Sequence, residues 1–370
     1  MNIVLICAAL QPGRDGVGDY ARRLAGELIR TGHQAAIIAL NDRYIQTKIT
    51  ELQIADKVEV PVMRLPAAWP MSGRLNAAEK WIDKLDPDWL SLQFVPFGFH
   101  PKGLKLMLGR QLYKIGGGRQ WHIMFHELWV GMDEQSPAKH ILWGWAQRQL
   151  IKAIIKQLKP VVIHTQAGLY QLQLAKLDVK AGLLRLFGNV PVLHNAVFEK
   201  DANTINFLIF GHIHFGAPAE TFALEAVAYA KKRHQQVSLT FAGRCGSSRQ
   251  DWELACLAAG LPVKLLGESS PERIAEELQK ATIGITTTPA ALADKSGTVA
   301  AMLEHGLPVL CVARVWEARM VKNSIAPQGI LTYEQGKLEV LLNKLQAASA
   351  VNNKVSDIGA QLIDSLNGKF

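Results

Sequence analysis

Met1-Asn-Ile-Val-Leu-Ile-Cys-Ala-Ala-Leu10 runs into Gln11-Pro-Gly-Arg-Asp-Gly-Val-Gly-Asp19, and that loop opens a helical pattern, Tyr20 to Thr31, closed by Gly32. An unbroken apolar run bounded by turn residues predicts a strand buried on both faces of a parallel sheet. It has no basic n-region and leads into Gln-Pro-Gly, which separates it from a signal peptide. Gly32 suits a left-handed helix C-cap. The glycines ahead of the helix let backbone N–H groups approach a phosphate or carboxylate; a plain tight turn is the alternative. Gly16-x-Gly18-x-x-Ala21 also imitates a dinucleotide fingerprint, with Asp42 after the second strand as its ribose acid. A dinucleotide loop turns directly off its strand, whereas about six residues intervene here, so an NAD(P)-dependent oxidoreductase is the weaker reading.

Outward from this stretch, strand-like runs recur with helical patterns between them: Ala35 to Leu40, Trp89 to Phe94, His122 to Phe125 and Val161 to Thr165. The pattern restarts with Phe207 to Phe210, Ser238 to Ala242, Val263 to Leu266, Ile283 to Thr286 and Val309 to Val312, after the polar stretch Glu199-Lys-Asp-Ala-Asn-Thr204. Such alternation predicts parallel sheets with crossover helices. At 370 residues, 49% hydrophobic and 20% charged, the chain is too long for one core and too apolar for disorder. The expected architecture is α/β: two doubly wound Rossmann-like domains, residues 1–198 and 199–350, facing across a cleft, and a C-terminal helix, 351–370, returning to the first domain. Ligands of such sheets bind beyond the carboxyl ends of the strands, which places the expected active site in the cleft.

Cys7, Cys245, Cys256 and Cys311 lie far apart with no C-x-x-C pair, which excludes a zinc ribbon or disulfide scaffold and fits a reducing compartment. No run approaches the roughly 18 apolar residues of a membrane span. A cytoplasmic location follows as the expectation. The formal charge of +9 belongs to residues 1–200, with 25 basic residues against 16 acidic; the remainder carries 16 of each. Residues 99–160 alone hold ten basic residues (Lys102, Lys105, Arg110, Lys114, Arg119, Lys139, Arg148, Lys152, Lys156, Lys159) and three acidic ones. That field attracts phosphates, and an anionic membrane surface at the inner face is an expected partner. No recognised nucleic-acid motif accompanies it, so nucleic acid is not. The run His140 to Lys156 is amphipathic at helical spacing, and either faces a core or docks a membrane around Trp143 and Trp145.

Gly16-Val-Gly-Asp-Tyr-Ala-Arg-Arg-Leu-Ala-Gly-Glu-Leu-Ile-Arg-Thr-Gly-His33 resembles the first loop and helix of the family 4 glycosyltransferases, which have the GT-B fold. Further segments agree in order. Asp86-Pro-Asp-Trp-Leu-Ser-Leu-Gln93 resembles the family's Pro-Asp before a strand, Trp121 to Glu127 its strand ending in His, and Val192-Leu-His-Asn195 its linker Asn. Phe210-Gly211, Phe241-Ala-Gly243, Val263-Lys-Leu-Leu-Gly267 and Gly306-Leu-Pro308 resemble the landmarks of its second domain. The resemblance spans nearly the whole chain. It implies a cofactor-free, metal-independent transfer of sugar from a nucleoside-diphosphate sugar to an acceptor, lipid-linked or acidic.

The resemblance also makes His126, at a strand end, the catalytic candidate, contacting the donor sugar near the reacting carbon; a packed, hydrogen-bonded histidine is the alternative. It implies donor binding by Gly16, Val17 and Gly18 and, in the second domain, by Gly211, His212, Arg244, Gly267 and Glu268. Lys295, Ser296, Gly297 and Thr298 precede the helical run Val299 to His305, so N–H groups, two hydroxyls and an ammonium converge on an anion. An N-cap by Ser296 or Thr298 beside a solvated Lys295 is the alternative. Glu304 either reaches a ribose hydroxyl or is a surface carboxylate. The sequence departs from the family where two Glu residues are usual, at Ala293 and Ala301, and where an Arg/Lys clamp is usual, at His212 and Ala217. A non-catalytic donor-binding or scaffold subunit of the same fold is therefore the second reading. His122, His164 and His194 have no ligand spacing, and no metal is expected. Asp86-Pro-Asp88 has the Asp-x-Asp form of metal-dependent transferases but precedes its strand, and reads as a turn.

Overall fold

A computed structural model describes residues 1–193, 203–321, 329–347 and 354–369. The chain forms two compact units: Met1–Arg185 with Ala318–Lys322 and Val355–Phe370, and Leu186–Glu317 with Asn323–Lys354. His194, Asn195 and all of the expected polar linker before Asn203 fall outside the described residues.

The first unit is built on eight strands: β1 (Asn2–Cys7), β2 (Gln34–Asp42), β3 (Ile49–Ala55), β4 (Val58–Pro66), β5 (Trp89–Phe94), β6 (Gln120–Phe125), β7 (Val162–Thr165) and β8 (Gly182–Leu183). Their order across the sheet is β3-β4-β2-β1-β5-β6-β7-β8, with every neighbouring pair parallel except β3 and β4. Ile3, Val4, Leu5 and Ile6 are 0% exposed, as a central parallel strand covered on both faces requires. From β1 the chain winds outward to β2 and the β3–β4 pair, then returns to lay β5 on the other side of β1. The topological switch therefore lies between β1 and β5.

The β3–β4 hairpin has no counterpart among the strand runs expected from sequence. Ala55 pairs with Val58 across a two-residue turn, and Asp56 and Lys57 both have positive φ, 46° and 70°. This is the left-handed pair of a tight hairpin, yet no glycine announces it. The short strand β8 and, in the second unit, the strand Ile330–Thr332 are also beyond the reach of periodicity, which needs a longer window. The helix Val355–Leu366 belongs to the first unit. Its Gly359 would place a Cβ 3.1 Å from Glu27 Cγ, and Gln361 Nε2 donates to Leu183 O at 3.0 Å.

The second unit has six strands: β9 (Thr204–Phe210), β10 (Gln236–Ala242), β11 (Val263–Gly267), β12 (Ile283–Thr286), β13 (Val309–Cys311) and β14 (Ile330–Thr332). The order is β11-β10-β9-β12-β13-β14, parallel throughout. Alternation along β9 serves two cores: Ile205, Phe207 and Ile209 join Phe222, Phe241 and Trp252, whereas Leu208 joins Leu278, Met302 and Val309. Here the switch lies between β9 and β12. Among the described residues no helix is long and apolar enough to cross a membrane.

Candidate functional site

At the carboxyl ends of β9 and β12, where an open α/β sheet binds its ligands, the second unit gathers polar and cationic side chains. Gly211 turns the chain out of β9 at φ +83°, and a Cβ there would stand 2.6 Å from Thr298 Cγ2. Glycine thus lets the start of the helix Gly297–Glu304 lie against the strand end. His212 follows, its ring beside Gly246, where a Cβ would approach within 2.9 Å. The His214 ring meets it edge-on at 5.0 Å, and His214 N donates to Thr287 Oγ1 at 2.8 Å, tying the two loops together. Partial desolvation, then the charges of His212, Lys295 and Arg314, lower the His214 pKa. These four side chains therefore share one field, suited to an anion.

Lys295 ends a 3-10 turn, Ala290–Lys295, and Ser296 is the N-cap of the following helix: its Oγ accepts from Val299 N at 3.4 Å and lies 3.0 Å from Thr298 Oγ1. For Ser296 the capping alternative holds. Ala293 and Ala301 are 1% and 0% exposed, packed with Val299 and Met302. A carboxylate at either position would be desolvated, which accounts locally for the absence of the Glu pair. Glu304 is partly buried, and one of its oxygens is held within the unit. Its Oε2 accepts from Gly188 N at 2.9 Å, and a Cβ at Gly188 would come within 2.4 Å of that oxygen.

Beyond β10 and β11, Arg244 Nε and Glu268 Oε2 form an exposed ion pair at 2.9 Å. They border a cavity of about 350 Å³ with Gly243, Arg249, Leu265 and Gly267. Arg244, Gly267 and Glu268 thus come together, joined by Arg249.

The loop after β1 is held by the chain's own carboxylates. The Asp15 carboxylate accepts from Gly18 N at 2.8 Å as the helix N-cap, and Asp19 accepts from Gly13 N at 3.1 Å while pairing with Arg22 at 2.8 Å. The helix therefore starts at Gly16, not Tyr20, and its positive end is already met by the chain's own carboxylates. Gly18 has a packing reason as well: a Cβ would stand 2.6 Å from Ala9 O. Gly16 is exposed and Val17 half-buried, and neither is needed to explain an anion cradle. Asp42 is 0% exposed, accepting from Leu10 N at 3.2 Å and Arg64 Nε at 2.8 Å. It is bound inside the unit, which removes the ribose acid of the dinucleotide reading.

His126 follows β6 and is 4% exposed. Its Nε2 lies 2.8 Å from Gln93 Oε1, its Nδ1 2.7 Å from Gln166 Nε2, and the Tyr20 ring meets it edge-on at 4.9 Å. The contacts continue: Gln93 Nε2 donates to Ser91 Oγ at 2.7 Å, Ser91 Oγ lies 2.7 Å from His122 Nδ1, and His122 Nε2 lies 3.0 Å from His164 Nδ1. Burial pushes His126 down to about 3 and His164 to about 4, and burial with the neighbouring imidazoles puts His122 well below its ordinary value. All three rings are neutral at physiological pH. His122 and His164, without ligand spacing in sequence, meet because β6 and β7 are adjacent and parallel. Among the described residues no group of three or more His, Cys, Asp or Glu is placed to hold a metal ion.

No protein-family model matches the chain, and no curated protein matches its sequence significantly. Solved structures do match. The UDP complex of Anabaena Alr3699/HepE is similar with a TM-score of 0.59 at 15% identity over 100% of both chains. A glycosyltransferase from Rickettsia africae ESF-5 gives 0.56 at 13%, over 100% of this chain and 94% of that one. UDP-GlcNAc 2-epimerase from Methanocaldococcus jannaschii gives 0.54 at 10%, over 100% of both. The chain has the GT-B fold. At these identities the likeness establishes the fold alone. Within this GT-B chain, His214, Thr287, Arg249 and Arg314 join the second-unit cluster without any sequence motif to mark them. Gln93, Ser91 and Gln166 did carry a signal: polar residues inside or just after strands that are otherwise buried.

Proposed function

We propose that this chain is a glycosyltransferase of the family 4 type, using a nucleoside-diphosphate sugar. The observation that carries the reading is the cluster at the β9–β12 switch, where Lys295, Arg314, His212 and His214 stand with the hydroxyls of Thr287 and Thr298. Such a set matches the charge and acceptor oxygens of a diphosphate. In this reading Lys295 and Thr298 stabilise the departing diphosphate in place of the missing carboxylates, and the cavity beside Arg244 and Glu268 takes the base. His126, being neutral, is neither an imidazolium acid nor a counter-ion. With the proton on Nε2, a bare Nδ1 that accepts from Gln166 can accept from a sugar hydroxyl instead, one donor replacing another.

A solved neighbour binds UDP, so UDP is the first ligand to titrate. Calorimetry is expected to show binding of a nucleoside diphosphate, and mass spectrometry a transferred sugar from a panel of sugar nucleotides. Heat with NAD or NADP and none with any nucleoside diphosphate would return the chain to the dehydrogenase reading. Binding without product from any donor would establish the non-catalytic donor-binding subunit, the reading favoured by buried Ala293 and Ala301.

On the first unit, the helix Ala138–Leu158 exposes Leu142 (69%) and Trp145 (53%) beside exposed Lys139, Lys152 and Lys156. The packed neighbouring helix, Leu108–Ile115, adds exposed Arg110, Tyr113 and Lys114. This face is proposed to meet anionic lipid and so to present a lipid-linked acceptor, each basic residue contributing roughly 1 kcal/mol. Sedimentation with liposomes should rise with anionic lipid content and weaken with salt. A protein that stays in the supernatant at low salt has a soluble acidic acceptor instead.

A further inference from the structure

We infer that Ser365, on the C-terminal helix Val355–Leu366, is a positioning residue for His126: through a buried hydrogen-bond chain it selects which ring nitrogen of His126 carries the proton. The chain runs Gln166, His126, Gln93, Ser91, His122, His164, Ser365, each 1–7% exposed or fully buried, and ends on the Gln361 carbonyl.

The direction follows from proton counting. Ser365 has one hydroxyl proton, donated to Gln361 O at 2.8 Å, an atom that only accepts. At 3.2 Å from that hydroxyl, His164 Nε2 must then be the donor. A neutral ring has one N–H, so His164 Nδ1 is bare and accepts from His122 Nε2–H. His122 Nδ1 is bare in turn and accepts the Ser91 hydroxyl, which accepts from the Gln93 amide nitrogen. That turns Gln93 Oε1 toward His126, whose Nε2 donates, and leaves His126 Nδ1 bare to accept from Gln166. Every bond points toward the C-terminal helix. The same side chains admit the opposite polarity, with both glutamines flipped and His126 protonated on Nδ1, if Ser365 gives its proton to His164 and gives up its bond to Gln361. The carbonyl beside Ser365 thus breaks the tie, although Ser365 is far from His126 in sequence and does not touch it.

The functional consequence rests on the glycosyltransferase reading: only the inferred polarity offers a sugar hydroxyl a bare Nδ1. The polarity itself does not depend on that reading, so it is tested separately. Long-range proton–nitrogen NMR of the whole protein distinguishes protonated from bare imidazole nitrogens. In the wild type His122, His126 and His164 should all be Nε2–H tautomers. Ser365→Ala should abolish the single tautomer of His126, and Ser365→Thr, which restores the hydroxyl, should retain it. Ser91→Ala cuts the chain midway: it should release His126 while His164 stays Nε2–H. A wild-type His126 protonated on Nδ1, or a His126 signal unchanged in folded Ser365→Ala, overturns the proposal; should that variant fail to fold, the wild-type assignment and Ser91→Ala still decide it. If the tautomers behave as stated and no sugar transfer is found, the positioning stands and the glycosyltransferase reading fails.

Discussion

Lys295→Met should weaken nucleoside-diphosphate binding about 10- to 100-fold, the loss of one charge-assisted contact, and lower turnover by about 10²–10³ where that contact strengthens on the leaving group. The side chain closes the 3-10 turn ahead of the helix Gly297–Glu304 and lies in the same field as His212, His214 and Arg314. Removing it leaves the core intact, because the buried residue of that turn is Ala293, whereas Lys295 is only partly buried. Thr298→Val, which keeps the shape that fits against Gly211 and removes only the hydroxyl, should have a smaller effect in the same direction. Calorimetry and product formation measured side by side separate binding from the chemical step. A Lys295→Met protein that binds nucleoside diphosphate as the wild type does removes this loop from the site.

Acid should unfold the protein from an unusually high pH. An unfolded histidine titrates near 6.5, whereas burial holds His164 near 4 and His126 near 3, with His122 well below its ordinary value. Between these values the unfolded chain binds more protons than the folded one. The stabilisation is therefore complete above about pH 6.5 and is lost as pH falls toward 4 and below. Each ring contributes a slope of about 1.4 kcal/mol per pH unit once pH is well under 6.5. His33, His214 and His305, also lowered, act in the same sense. Urea midpoints should fall steadily from pH 7 to pH 5, and calorimetry in buffers of different ionisation enthalpy should show proton uptake on unfolding. A midpoint flat across that interval would mean that the three imidazoles are not held neutral.

Much of the architecture was legible in the sequence because it is written in short stretches. Trp89–Phe94 and Ile283–Thr286 are strands with the bounds that the sequence predicts, and Gly32 stands in the left-handed conformation beyond its helix. Within the second unit, Arg244, Gly267 and Glu268 line one cavity. The hairpin at Asp56-Lys57 was not legible, since its turn takes a glycine-like conformation without a glycine.

The sequence by itself determined that this chain is α/β with two parallel sheets, because burial on both faces of a strand, helix periodicity and turn chemistry are properties of adjacent residues. Only the tertiary structure decided what each polar side chain does. Asp15, rather than a ligand, caps the first helix; Glu304 holds Gly188; Asp42 holds Arg64. The chain from His126 to Ser365 joins partners 31, 33, 42 and 201 residues apart. A hydrogen bond depends on which atoms strand order and register bring within about 3 Å, and no local spacing encodes that.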